Sequence, residues 1–302
     1  MSRPVVATPP RPVGSSRSGR SSAPAKGASS RLTRWAAPVL FAAPVGLAVL
    51  VGGSLPDVAV GQEAVPQGAG TQAAAAKVHP LEKALRYAKV SLRAAESLPS
   101  YTATLKRREI VDGKPVENEA RMKFRAEPFS VYLRFTNPEN AGRQVLYVEG
   151  ANDGKMLVRE AGGISSLAGT VSLAPDSALV AANSRHPITR AGLANLTRKV
   201  VQQWTTESRY GECDVKYYAD AQLNGRPVVV IESSHPVPRH EFRFARTRLW
   251  MDKETKLPVR LQQYEFRRGG GEPVLAEDYT YTDIKTDVRL SDRDFHPASY
   301  KL

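Results

Sequence analysis

Between Tyr101 and Ile284 the chain repeats one device: a short run of alternating apolar and polar residues, a turn signal, then another run. Tyr101 to Val111 gives way to Asp112-Gly113 and then to Glu119 to Arg125, the pattern of a β-hairpin closed by a two-residue turn. Ser130 to Thr136, Gln144 to Val148 and Lys155 to Arg159 follow, the last two separated by Asn152-Asp153-Gly154. Links this short exclude parallel crossovers, so the pairing is antiparallel. Strands resume at Asp214 to Ala221, turn at Asn224-Gly225, and continue as Val228 to Glu232, Phe242 to Met251 and Val259 to Phe266. After a glycine tip at residues 269–271 comes a last run, Leu275 to Ile284.

Two stretches have helical spacing instead. Behind Pro80, the residues Leu81, Ala84, Leu85, Ala88, Leu92 and Ala95 fall on one face while Lys83, Arg86, Lys89 and Arg93 take the other, and Pro99 stops the run. Residues 162–187 are small, polar and turn-rich, and after them Leu193, Leu196, Val200, Val201 and Trp204 recur at helical intervals. About ten strands in one sheet exceed what stays flat, so the sheet should curl. The expected fold is α+β: a strongly curved antiparallel sheet, a half-open barrel, with the helices of residues 81–98 and 189–204 covering its concave face.

Ahead of this domain, residues 1–34 carry seven basic groups and no acidic one, amid Pro, Ser and Gly that bury no core. Residues 35–55 carry no charge and are long enough to approach a bilayer's apolar thickness of about 30 Å. The pair reads as a basic leader with either a cleaved signal peptide or a membrane anchor, and it predicts export to the periplasm or cell envelope. The domain boundaries expected are 1–61 for the leader, 62–79 for a flexible Ala/Gly/Gln-rich linker, and 80–302 for a single folded domain. Residues 1–61 account for seven basic groups and one acidic group, so the net charge of +13 falls to +7 without them. With no basic block longer than Lys106-Arg107-Arg108, the remainder suits a solvated sheet with mild attraction to an anionic membrane surface, and nucleic acid is not an expected partner.

The sequence presents no catalytic, cofactor-binding or metal-binding constellation. His235 and His240 are separated by two prolines and match no helix-borne metal pair, while His79, His186 and His296 each precede proline and read as turn residues. No Gly-x-Ser-x-Gly elbow occurs. Cys213 is the only cysteine, which excludes an intrachain disulfide, and its neighbours Glu212 and Asp214 would raise a thiol pKa. Asp292 and Asp294 are spaced like a loop cap.

Through Lys123, Arg125, Pro128, Tyr132, Phe135, Asp153 and Gly154 in residues 122–160, and through Asp252, Thr255, Leu257, Pro258, Tyr264, Asp292 and Phe295 in residues 249–295, the chain resembles the LolA/LolB-like superfamily of periplasmic lipoprotein carriers. The region from about Leu81 onward is also similar to a bacterial family of unknown function grouped with those carriers. The lipid-anchoring cysteine of the LolB-like members is missing here. The resemblance implies an exported protein that holds a lipid, a lipoprotein acyl chain or another apolar molecule on the concave face, without enzymatic activity or cofactor. A periplasmic protein-interaction or envelope-stress sensor is the alternative, and a hydrolase whose residues meet only in space is a third reading. Candidate lining residues are Val131, Leu133, Phe135, Tyr147, Met156, Trp250, Leu261, Tyr264 and Phe266, which lie on both strand parities. Each buried methylene of an acyl chain would contribute about 0.8 kcal/mol, so about eight give roughly 6 kcal/mol before ordering costs.

Overall fold

A computed structural model of the protein describes residues 78–162 and 169–302. The leader, the apolar stretch 35–55 and all but the end of the linker lie outside the described residues. Among the described residues no helix is long and apolar enough to cross a membrane.

The first helix, α1 (Pro80–Glu96), starts where proline suits the first helical position. The His79 ring accepts a hydrogen bond from the Leu81 N–H (3.1 Å) and, through its other nitrogen, donates to the Tyr210 carbonyl (2.7 Å). Its buried positions Leu81, Ala84, Ala88, Ser91 and Ala95 advance by three and four residues, so small side chains form a stripe that packs closely on a later helix.

Eleven antiparallel strands follow in one sheet. The first six are β1 (Ser100–Val111), β2 (Lys114–Arg125), β3 (Ser130–Phe135), β4 (Gln144–Val148), β5 (Met156–Arg159) and β6 (Thr170–Leu173). The remainder are β7 (Asp214–Leu223), β8 (Arg226–Ser234), β9 (Arg246–Asp252), β10 (Pro258–Glu265) and β11 (Val274–Lys285). Their order is β6-β5-β4-β3-β2-β1-β11-β10-β9-β8-β7, two meanders fused along β1 and β11 with Leu105 opposite Tyr281. The sheet is not closed, because β6 and β7 remain as edges. Positive φ at Asp112 and Gly113 (48° and 77°) and at Asn224 and Gly225 (50° and 75°) gives the β1–β2 and β7–β8 hairpins the turn hand that matches strand twist. Register shifts in the β1–β11, β10–β11, β9–β10 and β7–β8 pairs are bulges of the kind that bend a sheet.

Between the two edge strands the chain runs through α2 (Ala178–Ala181) and a 3₁₀ turn at Ile188–Arg190 into α3 (Leu193–Glu207). The two long helices lie on one face of the sheet. Leu81 and Ala88 of α1 and Leu193, Val200 and Trp204 of α3 share a core with Tyr101, Met122, Phe124, Val131, Ile231, Leu249, Leu261 and Tyr281. Trp204 is fully buried and its Nε1 donates to Ser233 Oγ at 2.9 Å. Gly192 opens α3 at φ 104°, and a Cβ there would stand 2.6 Å from the Phe124 ring. Only glycine suits that junction.

The opposite face has its own small core. Phe295, Leu290, Tyr300 and Leu302 pack on Tyr132, Leu146, Val148 and Leu157, with Tyr132 and Tyr300 stacked 3.8 Å apart. Of the pair read as a loop cap, Asp294 caps, reciprocally with Ser291, whereas Asp292 bonds Arg125 (2.6 Å); with Lys123–Asp294 (2.8 Å) this pins the tail to β2.

Candidate functional site

The face that carries the helices is not filled throughout. Near β1 to β6 it leaves a cavity of about 670 Å³, within the usual range for ligand pockets of roughly 300–1,000 Å³. Strand alternation decides what lines it. Leu105 of β1, Ala120 of β2, Leu133 and Phe135 of β3, Val145 of β4, Met156 and Val158 of β5 and Leu173 of β6 all point to this side. Residues 174–192 cross above as a strap, contributing Leu179, Val180 and Ile188, and Leu196 of α3 closes one flank. A more polar groove of about 900 Å³ adjoins it and shares Arg107, Asn118, Phe135, Arg143 and Asn183.

The strap is held by charge. Glu109 on β1 and Glu277 on β11 have fully buried side chains, and each faces cations. Arg185 bonds Glu265 (2.5 Å) and the Ile110 carbonyl (3.0 Å), its backbone N–H donates to Glu109 (3.2 Å), and its Nε lies 3.5 Å from Glu277. His186 Nε2 meets Glu277 at 2.8 Å, and Lys199 Nζ on α3 meets the same carboxylate at 3.1 Å. Arg107 reaches across to Ser184 Oγ (2.6 Å) and the Asn183 carbonyl (3.3 Å). The Tyr279 hydroxyl donates to Glu109. Burial alone would raise the Glu277 carboxyl, but the His186 hydrogen bond and the Lys199 charge outweigh it and hold the group at about 2. Burial pushes Tyr279 far up, reinforced by the charges of Glu277 and Glu109. Lys199 is lowered, first by burial and then by Arg243 and Arg185, although Glu277 opposes this.

Chemically this is a latch. Ser184 Oγ accepts from Arg107 and donates to the His186 carbonyl, while His186 Nε2 lies 2.8 Å from Glu277 and 2.9 Å from Lys199, placed to donate to the first or accept from the second. Among the described residues no group of three or more His, Cys, Asp or Glu is placed to hold a metal ion.

Of the sequence candidates, Leu133, Phe135, Met156 and Leu261 line the cavity. Tyr147 is buried beside it with Val145, Met156 and Ile188, and Val131 is fully buried in the core under the helices. Trp250 and Tyr264 point the other way. Leu249 and Leu261 pair with each other and face the helices, which turns their neighbours outward. Trp250 joins Val228, Val230 and Val259 on the convex face beneath Arg260, and Tyr264 lies 5.6 Å from both Arg246 and Arg248. Phe266 stands beyond the end of β10, outside the cavity lining.

The histidines divide in the same way. His79 and His296 cap helical turns, the latter accepting from the Ala298 N–H (3.3 Å), as turn residues should. His186 is more than that, because it sits in the latch. His240 is exposed, whereas His235 is buried, stacked 3.8 Å from Phe242 and 3.2 Å from Glu207, though out of line for a hydrogen bond with that carboxylate. Burial would lower the His235 pKa, but Glu207 and the Glu212 carbonyl raise it on balance. Neither lines the cavity. Cys213 is buried, and burial, helped by Glu207 and Asp214, pushes its thiol up to about 12.

The fold is thus a half-open antiparallel sheet with a strapped, largely apolar cavity. Residues 98–301 match the family model described as "Protein of unknown function (DUF1571)", and the chain belongs to that family. Among proteins of curated function none matches. Solved structures similar to the chain include lipoprotein LppX from Mycobacterium tuberculosis, at 14% identity over 70% of this chain and 100% of that one, with a TM-score of 0.41. The MucA/MucB complex of Pseudomonas aeruginosa is similar at 17% identity over 72% of this chain and 62% of that one (TM-score 0.39). A LolA superfamily protein from Nitrosomonas europaea is similar at 11% identity over 71% and 97% (TM-score 0.30).

Proposed function

We propose that this protein is a non-enzymatic binder of an apolar ligand, a lipid or the acyl chain of a lipoprotein, taken up in the strapped cavity on the outer side of a membrane. The observation that carries the reading is the cavity itself: about 670 Å³ left open where Leu133, Phe135, Val145, Met156 and Val158 face it from the sheet. An acyl chain with about eight buried methylenes gains roughly 6 kcal/mol there, enough for reversible capture once ordering costs are met. The strap forms part of the cavity wall, and polar contacts rather than a continuous apolar seam hold it down at residues 183–186, which suits a cover that opens. The test is titration of the purified chain with a fluorescent fatty acid. Saturable binding at one site, competed by unlabelled fatty acid and weakened by Ala120→Trp, which fills the cavity, supports the reading. Absence of saturable binding rejects it.

A further inference from the structure

The charges around the latch do not balance. Three cations, Arg107, Arg185 and Lys199, face three carboxylates, Glu109, Glu265 and Glu277, and Arg243 stands beside them over Phe244 as a fourth cation. The surplus falls on Lys199 and Arg243. Lys199 shares Glu277 with Arg185 and His186, and among the described residues Arg243 has no carboxylate partner. Both line the cavity, and both sit over the buried Phe244 ring, the Lys199 Nζ 5.7 Å and the Arg243 Cζ 5.4 Å from its centroid. The half-buried Lys199 is thus crowded by like charge, and Arg243 and Arg185 help depress its pKa. An incoming anion would relieve that repulsion.

We infer that the ligand is an anionic amphiphile whose carboxylate or phosphate head is held by Lys199 and Arg243 beside Phe244, while its chain runs toward Leu133, Met156 and Val158. This rests on the binding function proposed above and adds the chemistry of the head group. It separates the roles of the two ends of the cavity. The apolar wall accepts any chain, and the cation pair selects charge.

The experiment compares dodecanoate, dodecyl phosphate, dodecanol and inorganic phosphate on the full chain and on Arg243→Gln, whose exposed side chain makes no hydrogen bond among the described residues. The two charged amphiphiles should bind about tenfold or more tightly than dodecanol, as one charge-assisted contact provides, and Arg243→Gln should erase most of that preference. Equal affinity of charged and neutral chains overturns the inference but leaves the binding function standing, as does a preference untouched in Arg243→Gln. Inorganic phosphate binding as tightly as dodecyl phosphate would identify a free-anion site and also overturn it. If none of the three amphiphiles binds, the proposed function itself falls.

Discussion

Replacing Glu277 by Gln keeps the shape of the side chain and removes the charge on which the latch converges. Glu277 has a fully buried side chain and faces Lys199, His186 and Arg185 at 3.1, 2.8 and 3.5 Å. Its carboxyl is held at about 2 instead of 4.5, which at 1.36 kcal/mol per pKa unit corresponds to roughly 3 kcal/mol of folding stability at neutral pH. A separate route agrees, since removing one partner of a buried ion pair costs about 3–5 kcal/mol. The sign follows from the direction of the shift. The folded-state pKa is depressed, so this stability is complete above the unfolded value near 4.5 and is lost as pH falls toward 2. Urea unfolding at pH 7 should therefore find Glu277→Gln less stable by about 3 kcal/mol, and the gap should narrow steadily between pH 4.5 and 2. A variant within about 0.5 kcal/mol of the parent at pH 7, or a gap of constant size across the acid range, would refute the reasoning.

Other perturbations separate the parts of the fold. Gly192→Ala forces a Cβ to within 2.6 Å of Phe124 at φ 104° and should cost about 1–3 kcal/mol, read as a melting temperature several degrees lower. Phe295→Ala empties the convex-face cluster and should cost about 3–5 kcal/mol in urea unfolding, yet leave fatty-acid affinity unchanged because that cluster lies across the sheet from the cavity. Cys213, with its thiol near 12, should resist a disulfide-exchange reagent at pH 8 until the protein is unfolded, and prompt labelling of the native chain would contradict its burial.

The hairpins were legible because their information is local: Asp112-Gly113 and Asn224-Gly225 specify turns without reference to the rest of the chain. The stripe of α1 was equally plain. Strand β6 was not, since Thr170–Leu173 is four residues long and lies among Gly, Ala and Ser that read as loop; counting it brings the expected ten strands to eleven. The inward parity could not be read from β9 or β10 alone, where adjacent Leu249 and Trp250, and Leu261 and Tyr264 three residues apart, put a large apolar or aromatic side chain on either face. Pairing and the helices above them decide it. The latch was invisible for a stronger reason. Glu109, His186, Lys199 and Glu277 come from four distant parts of the chain, and His186 precedes proline just as the helix-capping His79 and His296 do. Only the pairing of β1 with β11 brings Glu109 opposite Glu277, which then gather the strap's cations around them.

The claim on which the account turns is that the cavity holds an apolar molecule. Native mass spectrometry of the full chain, purified without detergent and then exposed to dodecanoate, tests this directly. The account predicts one bound molecule per chain, and its loss in Ala120→Trp while the fold is retained by circular dichroism. A chain that retains none, or an adduct that persists unchanged in the filled variant, would contradict it.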